Sequence, residues 1–179
     1  MKKEISLILF CVFALTCNAF NQEKSDSILN AYYESKDKIS KILILHEYIQ
    51  SNYSIPDTAI RYSNLAIDLS GTIGIDSLLA KSYGKLAIAY YYNGNLNKTR
   101  ESLYKSLEFY NKINDQLGLS ICYNDLGVVY YDQGDLYEAL KIYIKSLKIK
   151  EKIGDKKSVA MTLNNIGNVY KDLNKVVES

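Results

Sequence analysis

A period of forty residues limits what this chain can fold into more than any other feature of its sequence. Residues 80–119 align without a gap on residues 120–159, with 12 identities in 40. The matched pairs include Tyr83/Tyr123, Leu86/Leu126, Tyr90/Tyr130, Gly94/Gly134, Leu96/Leu136, Ser106/Ser146 and Asp115/Asp155. Such a repeat predicts one structural unit used several times, each burying its apolar face against the next.

Each unit is predicted to hold two helices, because its apolar residues recur three and four positions apart. Gly94 and Gly134 lie between the two apolar stretches, where a glycine with positive φ ends a helix. Asn95 and Asp135 follow as N-caps of the second helix. No segment alternates as a strand would, so the expected fold class is all-α.

The best-formed unit reads Tyr123, Leu126-Gly127 and Tyr130, followed by Ala139 and Tyr143. This pattern resembles the tetratricopeptide repeat, here with a period of forty residues in place of about 34 and without its proline. The resemblance implies a right-handed solenoid of antiparallel helix pairs. It covers about residues 39–179 and is strongest in 79–170. Small residues are expected where the helices of a unit approach closely, at Ala87, Gly127 and Gly167.

The period divides the chain into segments. We predict a signal peptide at 1–19, a capping segment at 20–38 with its helix at 24–36, a degenerate unit at 39–78, full units at 79–118 and 119–158, and a truncated unit at 159–179.

The N-terminus has the layout of a secretory signal peptide, with Lys2 and Lys3 before an apolar run at 5–17. That run is shorter than the roughly 20 residues of a membrane-spanning helix. Cleavage is expected after Ala19; a lipoprotein-type site that leaves a lipid anchor on Cys17, or a buried helix, are the alternatives. The protein is therefore expected to be exported, periplasmic or membrane-associated on the extracytoplasmic side, with no membrane span in this chain.

The last residues repeat the first helix of a unit, and "NKVVES" at 174–179 is expected to open its partner helix. Ile166, Val169 and Val176 would then face a helix that is missing. We interpret this as the truncated end of a longer protein. A natural short protein, with a frayed end or with self-association through its last helix, is the alternative.

Residues able to carry chemistry are few. The 22 basic and 20 acidic side chains nearly balance, which disfavours nucleic acid as a partner. His46 is the only histidine and is interpreted as structural, and Cys122 as a small buried apolar residue. Carboxylates such as Asp132, Asp135 and Glu138 fit surface and capping positions. We expect no catalytic residue, metal site or cofactor within these residues, and hence no enzyme.

In tetratricopeptide arrays the first helices of successive units line a concave groove, so the resemblance implies that a peptide or partner protein binds there. Asparagine amides can hold a peptide backbone and tyrosines add contact area. The predicted groove residues are Ile88, Tyr91, Tyr92, Asn124, Val128, Tyr131, Asn164, Asn168 and Lys171. Gly84 and Asn124 stand where a clamp for a C-terminal carboxylate needs lysine or a second asparagine, so that ligand is not expected.

A second resemblance is to exported sensor regions of Bacteroidetes-type bacteria, carried by "IPDTAIRYSNLAIDLS" at 55–70 and the repeats after it. In those proteins the array often precedes a membrane helix and a histidine kinase, a cyclase or a DNA-binding output domain. This resemblance implies an alternative function, the input region of a signalling enzyme whose output domain lies beyond Ser179.

Overall fold

The structure is a computed structural model that describes residues 24–178, with side chains to residue 174. The first 23 residues, and with them the predicted signal peptide, lie outside this part. The described residues form eight helices and no strand. They are α1 (24–34), α2 (Lys38–Ser51), α3 (Pro56–Ile73), α4 (Asp76–Tyr92), α5 (Leu96–Lys112), α6 (Gln116–Asp132), α7 (Leu136–Ile153) and α8 (Lys156–Glu178).

The predicted turns and caps between the helices are confirmed. Gly94 and Gly134 have φ of 76° and 79°, a conformation that costs a residue with a Cβ atom free energy. Asn95 Oδ1 accepts a hydrogen bond from the Lys98 amide at 3.1 Å, and Asp135 caps α7 in the same way. These devices recur every forty residues, so each helix pair begins and ends alike.

Close approach within each pair explains the small residues of the repeat. A Cβ atom built on Gly127 would lie 2.5 Å from ring carbons of Tyr143, so α6 meets α7 there as predicted. Ala87 is buried at the equivalent position of α4. Gly167, in contrast, has no atom within 4 Å of such a Cβ, because none of the described helices covers that side of α8.

A buried serine holds the two helices of each full unit together. Ser106 Oγ on α5 donates to the carbonyl oxygen of Ala80 on α4 at 2.8 Å. Ser146 Oγ on α7 donates to the carbonyl oxygen of Ser120 on α6 at 2.7 Å. Both hydroxyls are fully buried, and each is satisfied by a backbone carbonyl oxygen near the start of the neighbouring helix.

Consecutive helices pack side by side along the chain, and α2 also touches α4. The degenerate unit takes the same form as the others, because α2 and α3 pair in front of α4. His46 is buried on α2 with its Nε2 atom 2.8 Å from Ser82 Oγ on α4. This contact between units supports the interpretation of His46 as a structural residue.

The C-terminal helix differs from the expectation in two respects. First, α8 continues to Glu178 instead of turning near residue 174. Asn174 and Lys175 stand where the earlier units have Gly134 and Asp135, so the segment lacks both a glycine for positive φ and a capping carboxylate.

Second, Ile166 and Val169 are buried, although they were expected to face a missing helix. They pack with Ala139 and Tyr143 of α7. Among the side chains of α8 that the structure describes, the large apolar ones that are exposed are Met161, Leu163 and Tyr170.

Candidate peptide-binding groove

The first helices of successive units, α2, α4, α6 and α8, are joined by side-chain hydrogen bonds along one face. We call this surface the groove face; the nine predicted groove residues belong to three of its helices, α4, α6 and α8. Between α2 and α4, Lys85 Nζ donates to Gln50 Oε1 at 3.0 Å. The groove face is therefore continuous from one unit to the next.

Two tyrosine–aspartate hydrogen bonds repeat along the groove face with the period of the sequence. Tyr91 on α4 donates its hydroxyl to Asp132 Oδ2 on α6 at 2.7 Å. Tyr131 on α6 donates to Asp172 on α8. Each pair spans 41 residues and holds one first helix at a set distance from the next. We refer to them as the tyrosine rungs.

A small cavity of about 140 Å³ opens between α4, α5 and α6. Three of the predicted groove residues line it together, namely Ile88, Tyr91 and Val128. Its one ionised lining residue is Asp125. A second cavity of about 240 Å³ lies on the other side of Ile88 and Asp125, toward α2, and carries the basic residues Lys81 and Lys85.

Asn124 is tied into the protein's own polar contacts. Its Oδ1 atom accepts hydrogen bonds from Lys150 Nζ and from Thr162 Oγ1, both at 3.3 Å. Lys150 is buried on α7 and also donates to Thr162 Oγ1 at 2.8 Å. A buried ammonium group needs such acceptors. Asn124 therefore helps to stabilise the fold, besides any role in binding.

The other predicted residues are more accessible. Tyr92 is 60% exposed, with its ring stacked on Tyr53 at 5.7 Å between centroids. Asn164, Asn168 and Lys171 are all exposed on α8. Their side chains can therefore reach a bound partner without first breaking a contact that buries them.

Sequence reasoning missed the carboxylates of the groove face. Asp132 was assigned to a surface or capping position; it is exposed, and in addition it accepts the hydrogen bond of Tyr91, which was not predicted. The signal was present as two Tyr–Asp pairs with the same spacing of 41 residues. Asp125 could also have been noticed from the repeat. The forty-residue period puts Lys85 and Asn165 at the equivalent position, so the charge at this position differs from unit to unit.

Burial shapes the protonation of the groove's titratable groups. It raises the pKa of the Asp125 carboxyl to about 6, although the Asn124 amide and the charge of Lys150 both favour the carboxylate. Burial and the charges of Lys85 and Lys81 lower the pKa of His46 to about 4. The imidazole is therefore neutral at physiological pH.

Cys122 has the surroundings of a packing residue. Its thiol is buried with Sγ 3.2 Å from Ser106 Oγ, and burial raises its pKa to about 12. A thiol with such a pKa stays protonated and is a poor nucleophile. Within the described residues, 24–178, no group of three or more His, Cys, Asp or Glu side chains could hold a metal ion.

Comparison of the sequence with models of known families assigns the chain to one of them. The model of a tetratricopeptide repeat family matches residues 78–136 and 122–177, which together exceed half of the chain. The chain belongs to the tetratricopeptide repeat family. An all-α array of helix pairs is thereby confirmed, and this affiliation supports a protein-interaction module as the general function.

Solved structures agree on the tetratricopeptide fold. BtubC of P. vanneervenii superposes with a TM-score of 0.76 at 18% identity, over 89% of this chain and 68% of that one. RapI superposes with a TM-score of 0.73 at 18% identity, over 87% of this chain and 46% of that one. A signal transduction ATPase with a tetratricopeptide repeat sensor, from Pyrococcus horikoshii, gives 0.70 at 20% identity, over 78% and 22%.

At such identities these structures are similar to this chain in fold alone. No curated protein sequence matches it. In the part of the chain that the structure describes, no helix is both long and apolar enough to cross a membrane.

Proposed function

We propose that this tetratricopeptide array binds an extended peptide, or such a segment of a partner protein, on its groove face. The tyrosine rungs carry the proposal, because they hold α4, α6 and α8 side by side and leave accessible polar and aromatic side chains between them. Asn164 and Asn168 supply amides that both donate and accept, as peptide backbone groups require.

The test is partner binding by asparagine variants. The protein is used to capture partners from extracts of its source cells, and the affinity of each purified partner is measured by calorimetry. Changing both Asn124→Ala and Asn164→Ala is expected to weaken binding by roughly tenfold while helicity is retained, since each lost hydrogen bond counts modestly in water.

Two single variants separate binding from stability. Asn164→Ala removes an exposed amide and is expected to reduce affinity by itself, whereas Asn124→Ala also removes an acceptor from the buried Lys150. Asn64→Ala, on the exposed side of α3, is the matched control and should bind as the unaltered protein does. Unchanged affinity in the double variant would reject the groove face as the binding site.

We propose further that the protein acts outside the cytoplasm. Lys2, Lys3 and the apolar run at 5–17 support export, and Cys17 and Ala19 mark the two alternative processing sites. Intact mass of the protein from its source cells distinguishes them: cleavage after Ala19 leaves an unmodified chain, whereas processing at Cys17 adds the mass of a lipid anchor. A full-length chain in the cytoplasm would contradict export.

A second candidate function is the input region of a longer signalling protein. It is favoured by the exposed Leu163 and Tyr170, because the equivalent Tyr123 and Tyr130 are half-buried under α7 in the preceding unit. An immunoblot of native membranes is the test. A much larger membrane-bound species supports the signalling protein, and a species near the mass of this chain contradicts it.

A further inference from the structure

The small cavity between α4, α5 and α6 combines an apolar wall with a single ionised group. Ile88, Leu103, Val128 and Val129 supply aliphatic surface, and the Asp125 carboxyl stands among them. The Tyr91 hydroxyl at its edge is neutral, since its hydrogen bond to Asp132 raises its pKa to about 12. The cavity therefore offers one negative charge and no positive one.

Asp125 lacks a cation of its own. No ion pair within 4.0 Å involves it among the residues that the structure describes. Lys150 is the cation that affects it most, yet the Lys150 ammonium group donates to Asn124 and Thr162 instead. The one side-chain hydrogen bond recorded for Asp125 comes from the Asn124 amide, at a long 3.5 Å.

The repeat itself shows that this carboxylate is not required for packing. The equivalent positions carry Lys85 in the preceding unit and Asn165 in the following one, on the same face of the first helix. Three side chains of different charge thus fit the same place in the fold. A partly buried carboxylate that packing does not need, and that no cation neutralises, fits a binding role.

We propose that this cavity receives a lysine side chain of the bound partner, with its aliphatic stem along Ile88 and Val128 and its ammonium group on the Asp125 carboxylate. The inference rests on the proposed function, because it assigns the chemistry of one subsite on the groove face. The narrow aliphatic wall suits an unbranched stem, and the lone carboxylate complements an ammonium group. An acidic side chain is repelled there and finds its complement in the neighbouring cavity, at Lys81 and Lys85.

The protonation of Asp125 makes the proposed contact dependent on pH. Its pKa of about 6 means that the carboxylate predominates above that pH and the neutral acid below it. The groups that face it or the cavities beside it are Tyr53 and His46 from the α2 side, Lys81, Lys85 and Tyr91 on α4, Tyr110 on α5, Cys122 on α6, and Tyr143 and Lys150 on α7.

Of these, His46 has the other pKa near this range, and burial together with Lys85 and Lys81 keeps it at about 4. Between about pH 5 and about pH 7.5, the cavity therefore gains its negative charge through Asp125 alone.

The test compares three capped pentapeptides of alanine with lysine, norleucine or glutamate in the centre. Norleucine keeps the stem of lysine without its ammonium group. Each peptide is titrated into the ¹⁵N-labelled protein, and amide shifts around Ile88 and Val128 report binding by NMR. At about pH 7.5 the lysine peptide is expected to bind about fivefold more tightly than the norleucine peptide, and the glutamate peptide most weakly.

Variants assign this preference to one carboxylate. Asp125→Asn is expected to abolish the advantage of lysine over norleucine, whereas Asp68→Asn, an equal loss of charge on the exposed side of α3, should retain it. Should Asp125→Asn fail to fold, the unaltered protein still decides: the advantage of lysine must disappear as the pH is lowered from about 7.5 to about 5, while norleucine binding stays constant.

Equal binding of lysine and norleucine peptides, an advantage that persists in Asp125→Asn, or no shift at Ile88 and Val128 with the lysine peptide would each overturn the inference. The proposed function is judged separately, because the partner-binding test with Asn164→Ala does not involve Asp125. If partner binding depends on Asn164 but shows no preference for lysine, the groove face remains the proposed binding site and the lysine subsite is rejected.

Discussion

Residues forty positions apart occupy equivalent places in successive units, so the role of one can be judged by comparison with the other. Gly127 and Gly167 occupy the same position in successive units, yet a Cβ atom would strike Tyr143 at the first and meet nothing at the second. Glycine is thus required for close packing at residue 127, whereas at residue 167 it only weakens the helix. This contrast supplies a matched pair of variants.

Gly127→Leu is expected to destabilise the protein by about 1–3 kcal/mol, because the added side chain forces α6 away from the Tyr143 ring. Gly167→Leu should leave the stability unchanged or raise it, since leucine favours the helix and has open space there. Urea unfolding followed by circular dichroism measures both. Equal losses in the two variants would show that close approach is not the reason for the glycine.

Asp125 predicts how stability varies with pH. Because burial raises its pKa from 3.8 to about 6 in the folded state, the folded protein binds its proton more tightly than the unfolded chain does. The free energy of unfolding therefore falls as the pH rises through about 4 to 6, by on the order of 3 kcal/mol from this group. Asp37 and Asp155 act in the opposite direction, since hydrogen bonds lower their pKa values.

The difference between Asp125→Asn and the unaltered protein isolates this contribution, because the other carboxylates are present in both. Measured by urea unfolding, the stability of Asp125→Asn relative to the unaltered protein is expected to increase from pH 4 to pH 7. A difference that is constant over this range would mean that Asp125 titrates normally.

At the scale of helices, the turns decide where each element ends. Gly74, Asn114 and Gly154 stand forty residues apart, and all three have positive φ at the end of a second helix. Gly94 and Gly134 do the same between the helices of a unit. Where this device is missing, at Asn174, α8 continues as one helix to Glu178.

Gly134→Ala is accordingly expected to cost about 1 kcal/mol, since alanine disfavours a φ of 79°. Gly71→Ala is its control within α3, where a Cβ atom meets nothing within 4 Å and alanine should add about 0.5–1 kcal/mol of stability. Thermal unfolding measures both variants. Stabilisation by both would indicate that the turn adapts without strain.

The helices, turns and caps could mostly be predicted from the sequence, whereas several polar contacts of the candidate site could not. Period, helix pairs, glycine turns and the caps Asn95 and Asp135 all depend on local chemistry that repeats. The contacts of Lys150 with Asn124 and Thr162 join three helices and occur in one unit, so no periodicity reveals them. Ile166 and Val169 were misjudged because they pack on the preceding helix, α7, whereas they were expected to face a following helix.

At the scale of the whole molecule, stability is distributed unevenly along the array. The largest buried cluster joins α4, α5, α6 and α7, whereas α1 and α8 each lie at an end of the described array. In a solenoid each unit is stabilised by its neighbours, so end helices open more easily than central ones.

Hydrogen exchange should reveal this gradient. Amides of α6, such as those of Leu126 and Val129, are expected to exchange at least roughly tenfold more slowly than amides of α1 and of the last turns of α8. Mass spectrometry of peptic fragments resolves the helices. Equal protection of all eight helices would mean that the array opens in a single step.

The packing of each helix on its immediate neighbours also affects how the protein reaches its native state. The chain does not have to bring together segments that are distant in sequence before favourable contacts form, so we expect rapid folding for its length. Because α4–α5 and α6–α7 are built alike, either pair can serve as the folding nucleus. A mutation that slows one pair then redirects folding through the other, which makes the folding rate of this chain more tolerant of sequence change than its binding surface.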